Sequence, residues 1–180
     1  RENAGLRFAA KGNTATMVGH TTPVQHVRLL VEKVAPTDVP VLITGASGTG
    51  KDVTAEALHR ASLRATMPFV VKNCAGLQPE LARTELFGHA KGAFTHAVSA
   101  TEGLLSHAHR GTLFLFLLGE LSLDVQAQLL RVLENKRYRR VGEKEERHAD
   151  VRFLFATNRD LAEEVAQGRF HEALFHRINV

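Results

Sequence analysis

The chain has a single cysteine, Cys74, and no apolar run long enough to cross a lipid bilayer. One cysteine excludes an internal disulfide, which is typical of proteins in a reducing compartment. A transmembrane helix needs about 20 consecutive apolar residues. These two absences predict a cytoplasmic protein without membrane association.

Metal-binding patterns and internal repeats are also missing. The ten histidines include no spacing such as His-Glu-x-x-His, so we assign no metal site to protein side chains alone. The 180 residues, 44% apolar and 23% charged, are typical of one globular domain. The net charge of +4 permits contact with nucleic acid, but nucleotide pockets and solvated helix faces use the same residues.

Strand and helix patterns alternate after a polar N-terminal segment. Residues 1–16 lack periodicity, which predicts a linker. Short apolar runs then alternate with helical patterns, and they lie at 39–43, 69–71, 112–118 and 151–156. The run at 112–118 is the most apolar and predicts the central strand. Such alternation favours an α/β fold with a mainly parallel sheet and a ligand at the carboxyl ends of its strands.

The segment at 39–52 changes from a β-type run to glycines and then to a helical pattern led by a lysine. It contains Gly45, Ala46, Ser47, Gly48, Thr49, Gly50, Lys51 and Asp52. This spacing fits the phosphate-binding pattern G-x-x-x-x-G-K, although Asp52 stands where many such loops have a Ser or Thr that helps to hold Mg²⁺. Glycines bring backbone N–H groups close to an anion, and the following helix N-terminus favours negative charge. The alternative interpretation is an ordinary glycine turn.

Further sequence blocks follow this loop along the chain. They are Asn73-Cys74-Ala75, Glu85-Leu86-Phe87-Gly88-His89, Gly92-Ala93-Phe94-Thr95-His96-Ala97, Gly111-Thr112-Leu113-Phe114-Leu115, Leu129-Leu130-Arg131-Val132-Leu133, Arg140-Val141-Gly142, Ala156-Thr157-Asn158-Arg159-Asp160-Leu161 and Leu174-Phe175-His176-Arg177-Ile178-Asn179-Val180. In order and spacing they resemble the central AAA+ domain of bacterial sigma-54-dependent transcription activators. The resemblance extends from about residue 17 to the last residue.

The resemblance implies a P-loop AAA+ fold, a three-layer α/β/α sandwich with a mainly parallel sheet. Residues 17–180 would form only its α/β subdomain, without the helical lid. Members of the family assemble into rings, hydrolyse ATP between subunits and remodel sigma-54 RNA polymerase, while a separate domain binds DNA. The implied ligand is ATP or ADP, with Mg²⁺ as a candidate companion of the nucleotide.

The resemblance also implies roles for single residues. Asn73 would belong to the switch that senses the γ-phosphate, Thr157 and Asn158 would be sensor I, and Arg177 would be an arginine finger reaching a neighbouring subunit. These roles agree with chemistry, because polar groups orient water and a guanidinium neutralises charge that grows in phosphoryl transfer. Taken alone, Asn158 also fits a strand-ending turn, and Arg177 fits a solvated surface residue.

The block at 92–97 resembles the loop that contacts the polymerase, whose family motif is G-A-F-T-G-A. Gly92, Ala93, Phe94, Thr95 and Ala97 match the motif, but His96 replaces a glycine. A side chain there restricts the backbone and adds bulk at the loop tip. Phe94 and Thr95 retain the pair that makes the contact in relatives.

The chain departs from the family most clearly after the third strand of the sheet. The Walker B aspartate, which holds Mg²⁺, is replaced by Phe116, and the glutamate that activates water is replaced by Leu117. Neither side chain accepts a proton or binds a cation. Glu120 and Asp124 are nearby in sequence, but Glu120 follows the glycine after the strand, so we expect it to miss the vacated position.

Smaller departures affect other functional positions. His171 stands where the family has its first arginine finger, Ala90 replaces a glutamate, and Ala46 replaces another in the phosphate-binding loop. A basic run at 136–140 is consistent with contact to DNA or polymerase, or with a solvated strand edge.

Loss of a general base typically lowers a rate by about 10²–10⁴-fold. We therefore expect a nucleotide-binding domain of a transcriptional regulator in which ATP hydrolysis is lost or severely impaired. Two alternatives stay open: an active ATPase that remodels sigma-54 RNA polymerase, and a scaffold that no longer binds nucleotide. A small-molecule kinase lacks an acceptor site in the sequence.

Overall fold

The computed structural model describes residues 7–8, 17, 19, 21–95 and 97–179. In chain order its elements are β1 (Arg7–Phe8), α1 (Thr22–Val34), β2 (Val41–Thr44), α2 (Lys51–Arg60), β3 (Phe69–Asn73), α3 (Pro79–Phe87), β4 (Gly88–His89), β5 (Thr101–Glu102), α4 (Leu104–His107), β6 (Thr112–Phe116), α5 (Leu123–Asn135), β7 (Arg137–Tyr138), β8 (Arg147–His148), β9 (Arg152–Thr157), α6 (Leu161–Ala166) and α7 (Glu172–Ile178). A short 3-10 turn at Leu118–Glu120 follows β6.

Five strands form one sheet in the order β1-β3-β6-β9-β2. Strands β3, β6, β9 and β2 run parallel, and β1 pairs antiparallel with β3 at the edge. Strand β6 lies in the centre of the sheet, as the apolar run predicted. Strand β1 falls within the segment interpreted as a linker, and the rest of that segment lies outside the described residues.

The two faces of the sheet bury separate hydrophobic clusters. Leu113 and Leu115 of β6 pack with residues of α3, α4 and α5 on one face. Phe114 of the same strand packs with residues of α1 and α2 on the other. Because side chains alternate along a strand, one apolar strand supplies both clusters. This arrangement confirms the predicted three-layer α/β/α fold.

Helix α1 carries an apolar stripe that is only partly buried. Pro23 lies at its start, where a missing N–H costs no helical hydrogen bond. Val31 is its one buried residue, whereas Leu30 is exposed. Across the described residues, no helix has the length and apolar character needed to cross a bilayer.

Two predicted strands have different ends in the structure. Strand β2 begins at Val41, after Pro40, which has no N–H to donate to the ladder. The strand predicted at 112–118 ends at Phe116, so that prediction was two residues too long. Leu117 adopts a left-handed conformation with φ of 58°, which takes the chain out of the strand and into the 3-10 turn.

His59 is buried at the edge of the sheet where β3 and β6 begin. Its ring stacks on Phe69 with centroids 4.7 Å apart, and its Nδ1 lies 2.9 Å from Thr112 Oγ1. Burial, together with the nearby charges of Arg152 and Arg60, lowers the pKa of His59 from its ordinary value of 6.5 to about 4. The folded protein therefore holds this imidazole in its neutral form.

Acidification should destabilise the protein through His59. At His59 the unfolded chain binds a proton as the pH falls below 6.5, while the folded chain does not until about pH 4. The stability that the neutral imidazole contributes is therefore fully present above pH 6.5 and is lost as the pH falls towards 4. Between about pH 7 and about pH 5 the expected loss is about 2 kcal/mol. Urea unfolding at both pH values measures it, and a His59→Gln variant should show a loss smaller by that amount. Equal losses in both proteins would contradict the assignment.

Candidate functional site

Parallel pairing brings the carboxyl ends of four strands to one edge of the sheet. Phe116 at the end of β6 is in register with Asn73 of β3 and with Ala156 of β9. On the other side of β9, Thr157 is in register with Thr44 at the end of β2. The backbone N–H of Gly45 then donates to the carbonyl of Thr157 at 3.3 Å. The predicted phosphate-binding loop and the sensor I block are therefore neighbours.

The loop at 45–50 has the backbone geometry that its glycines allow. Gly48 and Gly50 have φ of 79° and 82°, which side chains disfavour. A Cβ at Gly45 would lie 2.8 Å from Thr49 Oγ1, so a larger residue would displace the threonine. That hydroxyl donates to the carbonyl of Ala46 at 2.8 Å and closes the turn.

Lys51 begins α2 and is only 4% exposed. Its Nζ donates to the carbonyls of Gly45 and Ala46 at 2.8 and 2.7 Å. The ammonium is thus held against the first two residues of the loop. Asp52, the next residue, is exposed in the first turn of α2.

Phe116 places hydrocarbon at the centre of this edge. Its ring lies 6.3 Å from the ring of Phe114, and Lys51 Nζ lies 5.8 Å from its centroid. An ammonium within about 6 Å of an aromatic face is attracted to it. Leu117 follows in the left-handed conformation and is partly buried. The two positions expected to carry carboxylates thus present an aromatic ring and an aliphatic side chain.

The carboxylates that follow in sequence are bound elsewhere. Glu120 accepts a hydrogen bond from Arg159, and Asp124 lies 3.5 Å from the guanidinium of Arg83. Arg159 also contacts Glu164, whose pKa is lowered to about 2 by hydrogen bonds from Arg169 and from Arg159. Arg159 belongs to the sequence block at 156–161, but the sequence indicated no role for it.

Three polar residues predicted to act at the site differ in how they are held. Asn73 is exposed, and its Oδ1 accepts from the N–H of Ala75 at 2.9 Å. Thr157 is buried, with its Oγ1 accepting from the N–H of Arg159 at 3.1 Å. Asn158 is exposed at the end of β9. The structure brings the three side chains to the edge that holds the loop; their roles stay predictions.

The residues at this edge do not fit a protein-held Mg²⁺ ion. Mg²⁺ takes oxygen ligands, usually from one or two carboxylates together with phosphates and water. Asp52 is the one carboxylate in the loop, and Phe116 and Leu117 supply no oxygen atom in their side chains. Among the described residues, no group of three His, Cys, Asp or Glu side chains could hold a metal ion.

A cavity of about 460 Å³ opens beside the phosphate-binding loop. Its walls are Met17, Pro23, Val24, Val27, Thr49, Gly50, Val53 and Thr54. The lining is mostly apolar, and it joins α1 to the start of α2. Val24 and Val27 recur at helical spacing in the sequence, but that spacing gives no sign of a cavity. The partly exposed stripe on α1 is explained by it.

The two arginine-finger positions lie on or before α7, which packs against α5 and α6. Arg177 is exposed, and within the described part of the chain it forms no ion pair or hydrogen bond. His171 precedes the helix, and its backbone N–H donates to Gln126 Oε1 at 2.8 Å. Both assignments stay predictions, since a neighbouring subunit would complete them.

The loop at 92–97 projects from the two-stranded sheet of β4 and β5. Gly92 donates to the carbonyl of Ala97 at 2.8 Å, and the Phe94 ring, 45% exposed, lies 4.9 Å from His89. His96 lies outside the described residues. The conformation presents Phe94 to solvent, as a contact residue requires.

The basic run at 136–140 is largely neutralised by its own neighbours. Arg137 and Arg139 both pair with Glu146 across the β7–β8 hairpin, and Arg140 pairs with Glu102 of β5. These pairs favour the interpretation of a solvated strand edge over a nucleic-acid contact.

Comparison with known proteins agrees with this architecture. A family model described as the sigma-54 interaction domain matches residues 17–180. The anaerobic nitric oxide reductase transcription regulator NorR of Escherichia fergusonii is 51% identical over 164 residues, which are 91% of this chain and 32% of that protein. NorR of Escherichia coli matches equally well. The chain thus spans about a third of the curated relatives it matches.

Solved structures share the fold. NtrX from Brucella abortus in complex with ADP superposes with a TM-score of 0.83 at 36% identity, over 93% of this chain and 37% of that one. NtrX in complex with ATP gives 0.82 at 37% identity, over 91% and 36%. The P-loop NTPase domain of a sigma-54 activator from E. coli gives 0.60 at 20% identity, over 90% and 93%, which supports the fold alone.

Proposed function

This chain belongs to the family of sigma-54 interaction domains, the AAA+ domains of bacterial transcription regulators, and we propose that it binds ATP or ADP without appreciable hydrolysis. The observation that carries the proposal is the combination of an ordered phosphate-binding loop around Lys51 with hydrocarbon at Phe116 and Leu117. Nucleotide binding and ATP hydrolysis need different groups, and this chain has the groups for binding but not the carboxylates for hydrolysis.

Phosphate binding is supported by the loop itself. Positive φ angles at Gly48 and Gly50 shape the loop that leads into α2, and a helix N-terminus favours anions. Lys51 adds a buried cation that can exchange its two carbonyl partners for phosphate oxygens. The adjoining apolar cavity of about 460 Å³ has room for a nucleotide base. The solved NtrX complexes with ADP and ATP support the same ligand class for this chain.

Loss of hydrolysis is supported by the chemistry at the end of β6. Attack on a γ-phosphate needs a group that orients or deprotonates water, and neither Phe116 nor Leu117 accepts a proton. Glu120 is engaged by Arg159 and Asp124 by Arg83. We infer that the domain works as a cytoplasmic module that responds to nucleotide by assembling or changing partners.

The loop at 92–97 is the proposed contact with sigma-54 RNA polymerase. Exposure of Phe94 supports this role, and the family membership supplies the partner class. Ring assembly through Arg177 and DNA binding through a separate domain belong to the same proposal.

Removing the Lys51 ammonium should weaken nucleotide binding by at least about tenfold, because a charge-assisted hydrogen bond contributes about 1.5–3 kcal/mol. Calorimetric titration of Lys51→Ala with ADP and with ATP measures the loss. Lys144→Ala removes an exposed lysine of the β7–β8 loop and serves as the matched control. Equal affinity of all three proteins would refute binding at this loop, and a lack of binding by the unaltered protein would leave the scaffold interpretation.

Restoring both carboxylates should create hydrolysis that the natural chain lacks. Phe116→Asp with Leu117→Glu is expected to raise Mg²⁺-dependent release of phosphate from ATP by at least about 10²-fold. The isosteric pair Phe116→Asn with Leu117→Gln cannot supply a base and should stay inactive. A third variant adds His171→Arg to the two carboxylates, so that it also supplies the first arginine finger if hydrolysis needs it. Turnover in the unaltered protein that disappears in Lys51→Ala would instead establish an active ATPase.

Replacing the Phe94 ring at the tip of the 92–97 loop should weaken the contact with the polymerase. Phe94→Ala is expected to reduce capture of purified sigma-54 by at least about tenfold, since an aromatic anchor carries about 2 kcal/mol or more in such interfaces. Val98→Ala changes a neighbouring residue that is 82% exposed and should bind as the unaltered protein does. If the two variants bind alike, the contact lies elsewhere.

A further inference from the structure

We propose that the phosphate site is selective for nucleoside diphosphates over nucleoside triphosphates and that it binds them without Mg²⁺. This inference rests on the proposed nucleotide binding and concerns which ligand the site retains. It follows from the groups that surround the Lys51 ammonium.

The region that a third phosphate would enter is bounded by Phe116. A phosphate-loop lysine reaches the β and γ oxygens, so a γ-phosphate would lie near Lys51 Nζ. That atom is 5.8 Å from the centroid of the Phe116 ring. The ring stands in the middle strand of the sheet, with Asn73 and Ala156 in register on either side. The terminal phosphate of ATP would therefore face an aromatic hydrocarbon.

A diphosphate avoids this contact. Its β-phosphate would be held by the backbone N–H groups of the loop and by the helix N-terminus, which need no metal ion. Those groups belong to the segment from Gly45 to Lys51, and the glycines that shape it have φ of 79° at Gly48 and 82° at Gly50.

Within one subunit, the basic side chains at the ends of β3 and β9 are already paired and are not available to a third phosphate. Arg159, the nearest arginine in sequence to the sensor I block, is already bound by Glu120 and Glu164. Lys72 of β3 is paired with Glu85. Asp52 adds a negative charge in the first turn of α2, which repels a further phosphate.

Mg²⁺ normally shields that charge, but this donor set does not hold the ion. Asp52 is a single exposed carboxylate, and the two side chains after Leu115 carry no oxygen. An exposed charge contact contributes only about 0–1 kcal/mol, so Asp52 alone would gain little from the ion. The site should consequently be indifferent to Mg²⁺.

Four calorimetric titrations test the inference: ADP and ATP, each in EDTA and in MgCl₂. Burying a polar group without a partner costs about 1–3 kcal/mol, so ADP should bind at least about fivefold more tightly than ATP. Mg²⁺ should change either Kd by less than about fivefold. ATP binding as tight as ADP binding, or a larger effect of Mg²⁺, overturns the inference and leaves nucleotide binding standing. No binding of either nucleotide overturns the proposed function itself.

Two variants distinguish the effect of the Phe116 ring on nucleotide selectivity from the effect of the missing carboxylates. Phe116→Ala removes the ring without adding a ligand, so the disadvantage of ATP should shrink while Mg²⁺ stays without effect. Phe116→Asp with Leu117→Glu should make ATP binding depend on Mg²⁺ by at least about tenfold, the scale on which ligand-shell changes alter metal affinity. Leu63→Ala, at a residue 84% exposed, is the control. If Phe116→Ala leaves the ratio of the Kd for ATP to the Kd for ADP unchanged, the Phe116 ring is not the cause of the preference for ADP.

Discussion

The parallel hydrogen-bond ladder that joins β3, β6, β9 and β2 determines where each group of the candidate site lies. Its register puts Phe116 between Asn73 and Ala156, and it puts Thr157 beside Thr44. Because parallel strands end at the same edge, each strand delivers its last side chain to one place. The phosphate-binding loop is attached to that edge by the bond from Gly45 to Thr157. A change at the end of β6 therefore acts on the surroundings of Lys51.

Phe116 and Leu117 place hydrocarbon at this edge, where the family resemblance implies two carboxylates. Adjacent carboxylates at the end of a buried strand repel each other and lose hydration when no cation is bound. Phe116 instead packs near Phe114 and beside the Lys51 ammonium. Leu117 keeps a left-handed conformation, which costs a residue with a side chain about 1–2 kcal/mol. The chain thus turns sharply after Phe116, and the turn presents hydrocarbon side chains.

Ion pairs hold the edges of the sheet on both sides of this centre. At the edge opposite the site, Arg64 bridges Asp38 and Asp150 and also donates to the carbonyl of Gly111. Hydrogen bonds to Asp38 and Asp150 raise the pKa of Arg64, while the same bonds lower the pKa of each carboxyl group. At the site edge, Arg159 links Glu120 to Glu164. These contacts join loops that are distant in sequence and so keep the strand ends in register.

The sequence by itself determined the fold class, the glycine-rich loop that ends in Lys51 and the apolar side chains at Phe116 and Leu117, because these depend on residue type and on local spacing. The tertiary structure decided what local spacing does not contain. The strand predicted to reach Leu118 stops at Phe116 because Leu117 turns the chain, and Val24 and Val27 line a cavity because α1 lies against the start of α2. It also paired Glu120 with Arg159, residues 39 positions apart. Partners at that separation are chosen by strand register, so their identity follows from packing and not from either segment alone.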